Sequence, residues 1–209
     1  MSGFAVLRLL EALWVAAGLA TGVIVGYLIA GSDPAMRGRR RRALWLAPGT
    51  LVAVLLSVGE YHGALASGWF IPRVAMAALG LDVLCGVAAV VGATAAAAKL
   101  GGWLPREAIG YPGRTFVNAS LAAFALGMLA YLIAYPLTPW VFHTLIVVAA
   151  VFGGLFAVPA EGTALPGKIT WLNAMAGVAA GLAGFAMDDL ILMVVGAAVA
   201  ATGFVLISQ

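Results

Sequence analysis

Asp82 stands about eight residues into the apolar run "VAMAALGLDVLCGVAAVVGATAAAA". In a helix that begins with the run, 1.5 Å per residue puts it roughly 12 Å deep. Carboxylates inside a membrane are costly and mark ion or proton paths. If the helix begins later, Asp82 sits at the interface instead. Asn173 poses a similar question inside "PGKITWLNAMAGVAAGLAGFAM". An amide donates and accepts hydrogen bonds without becoming charged, so it can hold a water in a relay. Glu60 and His62 close another apolar run. Histidine titrates near neutral pH, so this pair could pass protons. Their i, i+2 spacing, however, puts them on different helix faces, which favours snorkelling at the interface. His143 follows Trp140 closely and reads as part of an aromatic belt. Asp188 and Asp189 read as a tight turn followed by a helix N-cap.

These residues need a membrane fold to position them. The chain is 64% hydrophobic and 9% charged, with mean hydropathy +1.10. That surface charge is too low for a water-soluble domain. The apolar runs have the length of helices rather than barrel strands. The expected fold is an all-α polytopic bundle forming one transmembrane domain over residues 1–209. Seven spans are expected: Leu7–Ala30, Ala43–Leu65, Val74–Ala98, Thr115–Tyr135, Trp140–Val158, Pro166–Met187 and Leu190–Ile207. The first is too long for a signal peptide and lacks a clear cleavage site, so it is read as a helix.

Basic residues set the orientation. Arg37, Arg39, Arg40, Arg41 and Arg42 fall in the first loop; Lys99, Arg106 and Arg114 in or beside the third; Lys168 beside the fifth. Only Arg8 and Arg73 fall on the other side. The N-terminus is therefore expected outside and the C-terminus in the cytoplasm. The arginine run reads as a topology signal and cytoplasmic anchor at anionic lipid headgroups rather than a nucleic-acid patch.

Small residues predict where helices touch. Gly18, Gly22 and Gly26 share one face of the first span. Asn173, Gly177, Gly181 and Gly184 share a face of the sixth, and Gly196, Ala200 and Gly203 a face of the seventh. Such stripes let backbones approach closely in lipid, so Asn173 is expected to turn away from the acyl chains. No G-x-G-x-x-G, Walker A, H-E-x-x-H or C-x-x-C pattern occurs, and no metal site is expected. The single cysteine, Cys85, leaves no partner for an internal disulfide. The seventh span has no lysine for a retinal Schiff base.

From Gly92 onward the chain resembles the membrane domain of the β subunit of proton-translocating NAD(P) transhydrogenase. The resemblance is carried by Lys99, Leu100, Gly102, Pro112, Gly113, Arg114 and Asn118. It continues through Phe152, Gly153, Pro166, Leu172, Asn173, Gly177, Gly184 and Phe185 to Gly196, Ala197 and Gly203. It covers about 115 residues; residues 1–91 match weakly. It implies proton passage through the bundle coupled to hydride transfer between NAD(H) and NADP(H), with Asn173 on the polar path. No nucleotide cofactor is expected on this chain. The nucleotides would sit on partner chains docking at Lys99, Arg106, Arg114 and Lys168. A homodimer in a bacterial cytoplasmic membrane is also implied. Three positions depart from the family pattern. Its serine falls at Ala93, its loop aspartate at Ala164 and its histidine at Leu56; Asp82 matches its outer glutamate only after a shift of one turn. Two other functions are open: a non-catalytic scaffold of another membrane complex, and a small proton or solute transporter.

Overall fold

The computed structural model describes residues 37–105, 110, 112–159 and 164–207. Six helices follow one another: α1 (Arg37–Ser67), α2 (Arg73–Leu100), α3 (Arg114–Ala134), α4 (Pro139–Ala157), α5 (Ala164–Ala186) and α6 (Leu190–Ile207). There is no strand among the described residues. Six of the seven expected spans fall on these helices. The span Leu7–Ala30, with Gly18, Gly22 and Gly26, lies outside the described residues.

Five helices are long and apolar enough to cross a membrane, the first of them over Ala47–Ser67. α6 is apolar over Leu190–Ala201. One boundary needs correction. The arginine run was expected in a loop, but Arg37 to Arg42 form the opening turns of α1. Arginine is a good helix former, so nothing stops the helix from reaching past the apolar stretch. Pro48 lies inside α1 beside the start of the apolar span, where its missing N–H removes one rung of the ladder.

α2 is the central element and packs against α1, α3, α4 and α5. One end of the bundle carries Arg37, Lys99, Arg114 and Lys168; it is the basic end. The opposite end carries His62 and His143; it is the histidine end. Exposed aromatics mark both, with Trp69, Phe70, Tyr135 and Trp140 near the histidine end and Trp103 and Phe116 near the basic end. Two such belts are what a membrane with two interfaces selects.

Packing differs between the ends. Toward the histidine end, Tyr61, Met76, Leu79, Val83, Leu132, Phe142 and Leu145 form a core of large side chains. Tyr61 stacks on Phe142 at 4.0 Å between ring centroids. Its hydroxyl donates to the Pro136 carbonyl at 3.0 Å, tying α1 to the α3–α4 connection. Tyr61→Phe keeps the stack and loses the bond. Titrated with denaturing detergent, that variant should lose about 0.5–1.5 kcal/mol.

Elsewhere the helices meet through small residues. A Cβ on Gly153 would overlap the Ala88 backbone, so α2 and α4 touch main chain to main chain. α5 and α6 form the most extensive pair. A Cβ on Gly177 would overlap Ala200, one on Gly196 would overlap Gly181, and one on Gly184 would overlap Met193. At Gly203 it would meet Ala174 at 2.8 Å. Between α5 and α6, Asp189 Oδ1 accepts from the N–H groups of Ile191 and Leu192, both at 3.0 Å. This caps α6 and satisfies two donors at its start.

Candidate functional site

Asp82 lies roughly 14 Å along α2 at 1.5 Å per residue. It is fully buried, in a helix that begins at Arg73, ahead of the apolar run. α1, α2 and α5 meet beside it. One turn on, a Cβ at Gly86 would stand 3.3 Å from the Ala179 Cβ of α5 and 3.4 Å from Asp82 Oδ1. A γ-methyl of Val54, from α1, fills that notch. Across the α1–α2 contact the carboxyl faces Ser57, which is also fully buried. Yet neither oxygen of Asp82, nor Ser57 Oγ, makes a well-formed hydrogen bond to a protein group. An unmet buried polar atom costs about 1–3 kcal/mol. Three together in an apolar bundle call for a reason beyond stability.

Ser57 belongs to a row. Thr50, Ser57 and Tyr61 are all buried, and their spacings of seven and four put them on one face of α1. Thr50 lies roughly 10 Å from Ser57 along the axis, toward the basic end. Asn173 lies further still toward the basic end. Leu172, next to it, meets Gly92 of α2, and Gly92 is roughly 15 Å beyond Asp82 along α2. Asn173 is partly buried. It sits between two rows of α5: Leu172 and Ala179, which meet α2, and Ala174 and Gly177, which meet α6. Asp82 and Asn173 are thus not one site. They stand at different levels of the bundle, roughly 15 Å apart along α2.

At the histidine end, His62 and His143 come together, with ring centroids 5.2 Å apart. Glu60 is exposed and lies on a different face of α1 from His62, as its spacing requires. At the basic end, Lys168 Nζ lies 3.6 Å over the Phe156 ring, and Arg114 is close enough for the two charges to repel. Arg114 is exposed and Arg106 lies outside the described residues. Lys99 corrects an expectation. It is buried in the last turn of α2 and held by an interaction within the chain, so it is not presented on a docking loop. The helix runs on through it to Leu100 and points it into the bundle.

Sequence reasoning missed Ser57, Thr50 and the histidine pair. The first two carried a signal in their seven-residue spacing ahead of Tyr61. The pair carried none, because His62 and His143 lie in separate helices far apart in the chain.

These features define an integral membrane protein: a bundle of apolar helices between aromatic belts, with Asp82, Ser57 and Thr50 buried inside. No curated protein matches the chain significantly. Residues 4–209 match the family described as NAD(P) transhydrogenase beta subunit, and the chain belongs to that family. The match reaches well beyond Gly92 and takes in nearly all of the first 91 residues. The chain is a membrane subunit of the transhydrogenase type, corresponding to its proton-channel part.

Proposed function

We propose that this chain conducts protons through its bundle, coupled to hydride transfer between NAD(H) and NADP(H) on partner chains. Asp82 and Ser57 form the centre of the path. Thr50 and Asn173 continue it toward the basic end, and His62 lies nearest its other mouth, with Glu60 exposed at the same end. By the excess of basic residues, the basic end faces the cytoplasm of a bacterial cell. Arg114, Lys168 and Arg106 there are the docking groups for nucleotide-binding chains. The complex is a homodimer, as the family resemblance implies.

One observation carries this reading: the fully buried Asp82 carboxyl, facing the buried Ser57 hydroxyl with no well-formed hydrogen bond to a protein group. A carboxyl takes up and releases protons, and hydroxyls and amides donate and accept in relay. A scaffold has no use for such a group.

Purification in mild detergent, followed by reconstitution into liposomes, tests the proposal. Nucleotide-binding chains should co-purify, and hydride transfer should acidify or alkalinise the lumen according to its direction. Co-purification with an unrelated membrane complex, and a proton leak no larger than that of empty vesicles, would sink it.

A further inference from the structure

We propose that His62 and His143 form a binding site for a divalent transition-metal ion, Cu2+ or Zn2+, at the histidine end of the bundle. Each ring is already oriented. His62 Nδ1 lies 2.8 Å from the Val58 carbonyl, and His143 Nδ1 lies 2.6 Å from the Pro139 carbonyl. A carbonyl only accepts, so each Nδ1 carries a proton, and in the neutral ring Nε2 then holds the lone pair. A metal-binding imidazole takes this form, with its other nitrogen donating to a backbone carbonyl.

The spacing also fits. Two imidazoles on one tetrahedral ion, with metal–nitrogen bonds of ~2.0–2.1 Å, hold their centroids roughly 5 Å apart. Here the separation is 5.2 Å and the ring planes are tilted by 59°. Beneath them the Tyr61–Phe142 stack joins the residues next in sequence, so α1 and α4 hold the pair in register. Both rings are exposed, and each lies roughly 6–8 Å from its helix end. An ion can therefore reach them without crossing the bundle.

No group of three or more metal-ligating side chains occurs among the described residues. The site is therefore open, with water completing the coordination, and the ion exchanges. Imidazole nitrogen selects Cu2+ over Zn2+, and both over Mn2+. The inference does not depend on proton conduction.

Cu2+ and Zn2+ titration of the full chain in detergent micelles tests it, with electron paramagnetic resonance of the copper as the readout. One Cu2+ per chain should bind, with coupling to two nitrogens. His62→Ala and His143→Ala should each leave one nitrogen and weaken binding about tenfold or more. The thermal midpoint of the unsubstituted protein should rise with Zn2+, and that of the double alanine variant should not. Two results would each overturn the site. One is equal Cu2+ binding by the unsubstituted and doubly substituted proteins. The other is a Zn2+-independent midpoint in the unsubstituted protein, which needs no variant to fold.

Discussion

Asp82→Asn is expected to stabilise the bundle and to lower its proton flux at the same time. The two side chains have nearly the same volume, so the junction of α1, α2 and α5 is not repacked. The substitution removes an ionisable group from a buried position where its polar neighbour is the Ser57 hydroxyl and no well-formed hydrogen bond is made. An unpaired carboxylate is costly to bury and a neutral amide of similar volume avoids that cost, here on the order of 1–3 kcal/mol. An amide cannot take up and release a proton, so the proposed relay would lose its one ionisable member at this level. Hydride-driven proton flux is then expected to fall by roughly 100-fold, the scale on which positioned acid–base groups act. Unfolding in denaturing detergent reads the stability, and a pH-sensitive dye in the vesicle lumen reads the flux. A buried group retained only for structure would show neither change. Ser57→Ala should lower the flux less, because it removes a hydroxyl and leaves the carboxyl. Normal flux from Asp82→Asn would remove Asp82 from the path.

The second large effect lies at the α5–α6 contact. Gly196→Ala sets a methyl group against the main chain of Gly181, with the Cα only 2.6 Å away. Gly177→Ala does the same at Ala200, with the Cα 2.7 Å away. In both cases the obstacle is backbone, which cannot rotate aside as a side chain can. The helices must separate along their length and lose the close packing that holds them together in lipid. Each variant should lose about 2–4 kcal/mol, at or beyond the upper range for overpacking. Gly127→Ala is the control. It lies within α3 with nothing near its added methyl, and should be neutral or gain up to about 1 kcal/mol from helix propensity. Equal effects at all three positions would mean that propensity, not contact, governs these glycines.

Transverse order along each helix was readable from the chain. Hydropathy located six spans on the six described helices, and their ends shifted by only a residue or two except at the start of α1. There the arginines, good helix formers, extend the helix beyond the apolar signal. The glycine rows of α5 and α6 followed from spacing alone, since a period of 3.6 fixes which residues share a face. Lys99 went the other way. Charge suggests a loop or surface, but the helix continues through it and turns it inward.

Composition and periodicity, both local properties, determined that this chain is a membrane bundle, where its helices lie, and that Asp82 and Asn173 need explaining. Only tertiary structure decided what those residues face. It set Ser57 opposite Asp82, placed Asn173 roughly 15 Å further along, and brought His62 to His143. The physical reason is that helix pitch relates residues within one helix, whereas partners across helices depend on rotation and axial offset. Those are set by backbone contacts such as Gly153 on Ala88 and Gly196 on Gly181, which no single apolar run encodes.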